Sequence, residues 1–276
     1  MPVEAAPTPD SPAWLVWATA VAAAAFLGVA AGIVGRLRRG VPVVEPRPRR
    51  PVPWEGSDVL FVIGSSVALA TLVGGLIGKD PPVGVSLQAG LVLMSAAGLA
   101  AIGWLTLRGG TASDLGLMGG RLGADLALAT AGLGLVLVPL LALASALNQL
   151  VPYKHDVVDF LNAHRDPWAV GLVIAAAVVA APLVEELFFR RILQGWLEKR
   201  LPAADGAAAI VISAAAFALA HQGQGLAFVP LFPLGLVLGF IARQTGSIVP
   251  CILLHALFNA VSVGLLLATP PALPAG

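Results

Sequence analysis

The chain has 276 residues, of which 58% are apolar and 11% charged, and its net charge is +1. A soluble domain carries about a quarter charged residues, so this is the composition of a membrane protein, with apolar runs long enough to span. The near-zero net charge leaves no bulk electrostatic case for nucleic acid. The single cysteine, Cys251, excludes an intrachain disulfide and a cysteine zinc cluster.

Eight apolar segments follow in chain order, at roughly 13–35, 57–78, 84–107, 122–148, 168–190, 207–224, 226–243 and 248–268. They predict an all-α, polytopic membrane protein of about eight transmembrane helices, flanked by tails at 1–12 and 269–276. The first ten residues hold no Lys or Arg and the first apolar run ends in arginines, so no cleavable signal peptide is expected. The sixth segment is the weakest. Its apolar part, AAAIVISAAAFALA, is short, and QGQG at 222–225 divides it from the seventh. Pro230 and Pro233 predict a kink or an irregular start in the seventh.

The connections set the topology. The loop at 36–56 holds Arg36, Arg38, Arg39, Arg47, Arg49 and Arg50 and is proline-rich, so it is expected to be extended and mostly unstructured. Arg108 and Arg121 follow the third segment, Arg190, Arg191, Lys199 and Arg200 the fifth, and Arg243 ends the seventh. The alternate connections are poorer in positive charge: Lys79 with Asp80, then 150–167 with Lys154, Arg165 and three aspartates. The positive-inside rule places the arginine-rich loops in the cytoplasm. An even number of spans then puts both termini outside, in a multi-pass protein of a cell membrane. Topology is the ordinary reading of the arginine loop, and binding to anionic lipid is the other.

Segments one to four, within 13–150, carry almost no polar residue at membrane depth. Asp125, at the mouth of the fourth, reads as an interfacial or helix N-terminal charge. The unusual ionisable groups fall within 168–265, and no internal repeat is visible. A charged residue inside a span is costly and marks a functional candidate. Glu185 and Glu186 lie near the end of segment five, His221 closes the apolar part of segment six, and His255 and Asn259 lie in segment eight.

Helical spacing sorts these groups. His255 and Asn259 are four apart and share a face, as do Glu186 and Arg190, with the acid N-terminal in the favourable order. Glu185 points about 100° away from Glu186. The simplest division makes Glu186–Arg190 a structural clamp and Glu185 the working carboxylate, with the opposite assignment open.

A carboxylate, two imidazoles and an amide form a hydrolytic set. The carboxylate can act as a general base on water, and a protonated imidazole and an amide NH₂ can hydrogen-bond an oxyanion. Alternatively Glu185, His221 and His255 are a plausible Zn²⁺ set with an open fourth position. The sequence does not separate the two. No HExxH or GxSxG is present. Cys251, His255 and Asn259 also stack at four-residue spacing, but a thiol among apolar neighbours is expected to be inert.

EELFFR (EExxxR), FALAH (FxxxH) and HALFN (HxxxN), with TGSIVP before the last, resemble the CPBP family, the CAAX prenyl endopeptidase and bacteriocin-processing family. The resemblance covers about residues 168–265, and segments one to four carry no motif of the family. It implies an all-helical intramembrane endopeptidase in which Glu185 is the base, His221 helps it hold water, His255 and Asn259 stabilise the oxyanion, and Glu186 and Arg190 support the site. The family has been described both as zinc-dependent and as glutamate-dependent without metal, so the cofactor is none or Zn²⁺. The partners are a peptide or protein substrate and the lipid bilayer. A prenylated substrate does not carry over.

The expected activity is hydrolysis of a peptide bond near the cytoplasmic face, in a water-filled cavity open to that side. Counting residues places Glu185 and His255 about 8–12 Å below that face and His221 nearer ~20 Å. That mismatch calls for a later start of segment six or for a dip of 195–210 into the membrane. A non-enzymatic scaffold or bacteriocin-immunity-type protein is the alternative reading, and a proton-relay transporter is a weaker third.

Overall fold

The structure is a computed structural model that describes residues 13–78, 81–117, 121–153, 155–201 and 206–269. The tail at 1–12, all of the C-terminal tail but Thr269, and Lys79, Asp80 and Lys154 lie outside the described residues. Among the described residues nine helices follow in order: α1 (Ala13–Arg38), α2 (Gly56–Ile77), α3 (Val83–Leu107), α4 (Leu122–Asn148), α5 (Asp156–Ala163), α6 (Pro167–Arg200), α7 (Ala207–Leu219), α8 (Phe228–Thr245) and α9 (Val249–Ala268). Among the described residues there is no strand. Seven helices are long and apolar enough to cross a membrane, so this is an all-α, multi-pass membrane protein.

The sixth apolar segment differs from expectation. Its helix, α7, has 13 residues and reaches about 20 Å at 1.5 Å per residue, short of the ~30 Å of a hydrocarbon core. It stops where the chain turns at Gly223 and Gly225, whose φ angles are 102° and 66°. α7 and α8 then pack as an antiparallel pair. Gly235 lies so close to Ala214 that an added Cβ would sit 3.0 Å from its side chain. As a hairpin, the pair returns the chain to the side it left.

The fifth segment is longer than the expected 168–190. α6 runs for 34 residues, about 51 Å. Asp166 starts it by accepting from the backbone N–H groups of Trp168 and Ala169, with Pro167 in the first turn. Two stretches of α6 are π-helical, Ile174–Ala180 and Glu186–Leu193. Pro182 lies between them and has no N–H to give. The Ala181 N–H goes to Ala176 O, so Ala177 O finds a donor neither four nor five residues on. A carbonyl left open inside a span is costly; the Asn259 amide on α9 fills the gap, donating to Ala177 O at 2.8 Å.

The loop at 36–56 was expected to be mostly unstructured. It lacks regular structure beyond Arg38, but it is docked. Val52 and Trp54 are buried at 3% and 2% exposure, packed with Leu105, Leu187, Ile192 and Ile248. Trp54 Nε1 donates to Ile192 O at 3.2 Å, and the Arg47 backbone N–H donates to Gln244 O at 2.8 Å. Arg47 Nη1 reaches Asp125 at 2.6 Å, and Asp125 is fully buried. Asp125 stands in the first turn of α4, the expected helix N-terminal place, as the buried half of an ion pair. Proline-rich composition limits regular structure, but it does not prevent apolar and charged anchors from pinning a loop.

Of the first four helices, α3 and α4 pack directly on the later ones, while α1 packs on α4 and α2 on α3. An added Cβ at Gly98 of α3 would sit 2.8 Å from Val184, and one at Gly132 of α4 would sit 2.8 Å from Leu254. Small residues let these backbones approach α6 and α9 closely. Residues 150–167, expected to be a plain connection, contain the amphipathic α5, which buries Val157, Phe160 and Leu161.

The docked loop predicts that Trp54→Ala, which removes a buried aromatic ring, costs about 3 kcal/mol. The check is the unfolding midpoint in detergent together with the rate of proteolysis within 39–55. An unchanged midpoint and rate would show that the loop is not pinned.

Candidate active site

Three parts of the fold bring the polar groups together: α6 carries Glu185 and Glu186, the turn after α7 carries His221, and α9 carries His255 and Asn259. Glu186 is fully buried, with its side chain at 0% exposure, while that of Glu185 is at 17%. Glu186 Oε2 accepts from Arg190 Nε at 3.0 Å, and its Oε1 lies 3.0 Å from His255 Nδ1. Arg190 Nη1 donates to Ser213 Oγ at 3.2 Å, and the Ser213 hydroxyl donates to Phe189 O at 2.7 Å. The expected Glu186–Arg190 pair is therefore present, but it forms only part of a chain that ends on His255.

Glu185 faces the other way. Its Oε2 lies 3.9 Å from His221 Nε2 and 4.0 Å from His255 Nε2. Among the described residues this oxygen has no hydrogen-bond partner. These gaps are too long for direct hydrogen bonds. They are short enough for one water to stand within hydrogen-bond distance of the carboxylate and an imidazole.

The outer ring nitrogens are fixed by their partners. His221 Nδ1 lies 2.9 Å from Phe217 O; a carbonyl only accepts, so Nδ1 carries the proton. His255 Nδ1 faces a carboxylate and donates in the same way. In both rings Nε2 therefore faces Glu185, as a lone pair when the ring is neutral and as an N–H donor when it is protonated. Phe217 sits between them, edge-on to His221 at 5.1 Å and to His255 at 5.7 Å, with the Arg190 guanidinium 4.7 Å over its ring.

Glu185, His221, His255 and Asn259 all line one cavity of about 510 Å³. Asn259 lies one turn beyond His255, with one amide hydrogen committed to Ala177 O. The length of α6 removes the depth mismatch for His221. From Glu185 to the end of α6 is about 23 Å, and from Ala207 to His221 about 21 Å, so the two stretches run side by side for equal lengths. Neither a late start of α7 nor a dip of the connection is needed.

The lining of the cavity extends away from the arginine-bearing side. Its walls come from Leu140–Asn148 at the end of α4, from the far half of α9 out to Leu266, and from Tyr153, His155 and Val157. All of these lie away from the end where Arg121 and Arg243 flank α4 and α9. On the arginine side the Glu186–Arg190 pair closes the site.

Zinc bonded at 2.0–2.1 Å in a tetrahedron sets its donor atoms about 3.3 Å apart. The measured separations of 3.9 and 4.0 Å are wider, and among the described residues no group of three His, Cys, Asp or Glu is arranged to hold a metal ion. Cys251 faces elsewhere: it is fully buried and its thiol donates to Leu238 O on α8 at 3.3 Å.

Three residues of the site escaped the sequence reading. Ser213 and Phe217 precede His221 at four-residue spacing, so the face was legible, but a serine and a phenylalanine in an Ala-rich run carry no signal alone. His155 lines the same cavity from the connection before α5. Its Nδ1 accepts the Val157 N–H at 3.0 Å and caps α5, and burial pushes its pKa below the usual histidine value, with the neighbouring His221 contributing.

Residues 167–261 match the family model described as Type II CAAX prenyl endopeptidase Rce1-like. The match coincides with the segment bearing EExxxR, FxxxH and HxxxN and makes this region similar to a membrane endopeptidase domain. It covers α6 to most of α9 and none of α1 to α5. No curated protein and no solved structure gives a significant match to the chain.

The two glutamates should respond in opposite ways to substitution. Glu186→Leu leaves Arg190 buried without its carboxylate and is expected to cost about 3–5 kcal/mol. Glu185→Gln is expected to leave the unfolding midpoint within about 0.5 kcal/mol of the parent, as for residues away from buried networks. Thermal unfolding in detergent checks both, and equal losses would contradict the division. A second expectation concerns pH. With a folded pKa below the unfolded value of ~6.5, His155 binds more protons when unfolded, so stability falls as pH drops below ~6.5 and continues to fall through the folded pKa. His155→Asn keeps a capping acceptor and should flatten that part of the midpoint profile between pH 5 and 8.

Proposed function

We propose that this protein is an intramembrane endopeptidase in which Glu185 is the general base on a water molecule. The supporting observation is a carboxylate oxygen, Glu185 Oε2, that has no partner while two imidazole Nε2 atoms stand 3.9 and 4.0 Å from it at the wall of a cavity. A packing cluster would pair that oxygen, as it pairs both oxygens of Glu186.

In this reading the water lies between Glu185 and the imidazoles. Its oxygen attacks the carbonyl carbon of the scissile peptide while Glu185 takes its proton. The tetrahedral oxyanion is met by protonated His255 and by the second amide hydrogen of Asn259. The carboxylate of Glu186, held by Arg190, orients the His255 ring and balances its charge. His221 steers the water. Glu185 then returns the proton to the departing amine, and the products are a carboxylate and an amine. The donor spacing is wider than a zinc tetrahedron, which favours the carboxylate as the activator of the water.

The substrate is a peptide or protein held at the membrane, reached through the largely apolar cavity between α4 and α9. The arginine-bearing connections face the cytoplasm of a cell membrane and both termini face the other side.

Glu185→Gln and His255→Ala, reconstituted in proteoliposomes with a library of fluorogenic membrane peptides, are each expected to lower cleavage by at least ~10²-fold while the protein elutes and melts as a folded species. Parent-level cleavage by both would refute the assignment. A zinc chelator should leave cleavage unchanged; loss of activity that added Zn²⁺ restores would replace the base mechanism with a zinc-bound water.

A further inference from the structure

A second cavity, of about 480 Å³, lies on the arginine-bearing side and contains neither Glu185 nor either site histidine. It is roofed by Arg49–Val52 of the docked loop and floored by the last turns of α6 and the connection between α8 and α9. It is far roomier than the ~30 Å³ share of a single water. Among its described lining residues, cationic side chains outnumber carboxylates six to one.

Part of that charge is matched internally. Arg49 and Arg243 both pair with the one lining carboxylate, Glu198, at 2.7 and 3.2 Å, and Lys199 pairs with Glu55. The rest is not. Arg191 is 9% exposed; it donates Nε to the backbone carbonyl of Asp114 and packs its guanidinium beside the Trp54 ring. The Asp114 carboxylate itself is turned to the backbone and hydroxyl of Thr111. Among the described residues neither Arg191 nor the exposed Arg50 forms an ion pair with a carboxylate. At the inner end is Arg190, 2% exposed, whose Nη2 is buried without a hydrogen-bond partner although Nε and Nη1 are both engaged.

A buried guanidinium nitrogen left open is costly, and two further arginines with no carboxylate in direct contact share its cavity. Arginine forks match the oxygens of a phosphate. We propose that this cavity binds a phosphate-bearing anion, with Arg50 and Arg191 as its ion-pair partners and Arg190 Nη2 at the inner end. The site stands apart from the peptidase reading and does not depend on it. Arg190 is common to the two, so the anion would sit directly behind the Glu186–His255 pair. Its source is either a soluble phosphate or the headgroup of a lipid lying against the arginine-bearing face.

The test uses the full chain in a phosphate-free maltoside detergent. Inorganic phosphate is titrated at constant ionic strength against chloride, and in a second arm phosphatidic acid is added to the micelles against oleate. The readout is the thermal midpoint. The expected result is a saturable rise with phosphate or with phosphatidic acid, which chloride and oleate do not reproduce. In Arg50→Glu, an exposed position where charge reversal does not threaten the fold, half-saturation should move to at least tenfold higher concentration. A rise with inorganic phosphate makes the source a soluble one, and a rise with phosphatidic acid alone makes it a lipid. No rise in either arm, a rise matched by chloride or oleate, or a rise that Arg50→Glu leaves in place would overturn the proposal.

Discussion

A carboxylate with no solvent exposure, Glu186, sits at the junction of α6, α7 and α9, and the arrangement around it follows from the cost of burying that charge. An isolated ion at this depth is prohibitive, and one partner is rarely enough, because both oxygens need donors. Arg190 supplies the first within the same helix and His255 the second from α9. Satisfying Arg190 draws in Ser213 from α7, and its face covers the ring of Phe217. Three helices are thereby held in register by one charge. The by-product is an oriented His255, whose far nitrogen can point only toward Glu185.

That dependency explains what could be read from the sequence. The Glu186–Arg190 pair and the divergence of Glu185 are local helical geometry, and they survive even though Glu186 opens a π-helical stretch. The gathering of Glu185, His221, His255 and Asn259 around one cavity was also legible, because ionisable groups in apolar runs are rare enough to expect each other's company. The His255–Glu186 bond links positions 69 apart, and no spacing rule reaches that far. Asn259 shows the limit most clearly. Its bond to Ala177 exists because Pro182 withholds an N–H and the helix widens, a consequence of backbone accounting that residue types alone do not announce.

Elsewhere composition does not dictate conformation. Proline and arginine in 36–56 suggested an unstructured loop, yet Trp54 and Val52 fill a groove beside α6 and Arg47 neutralises Asp125. The apolar run of the fifth segment ends at 190, yet α6 continues to Arg200, with Ile192 buried against Val52 and Trp54 of this loop. The loop and the extension support one another, and neither is visible without the other. The length of that extension also places His221 level with Glu185.

The two cavities lie on opposite sides of a single guanidinium. On one side Arg190 holds Glu186, which holds His255 and so shapes the apolar chamber containing Glu185. On the other, the same residue, with one nitrogen unpartnered, lines a chamber in which Arg50 and Arg191 have no carboxylate in direct contact. A group bound there would compete with or reinforce the pull on Glu186, because the guanidinium is rigid and cannot turn one edge without moving the other. The chemistry of the membrane-embedded carboxylate is thus physically connected to the charge state of the arginine-bearing face, through one residue and about one turn of helix.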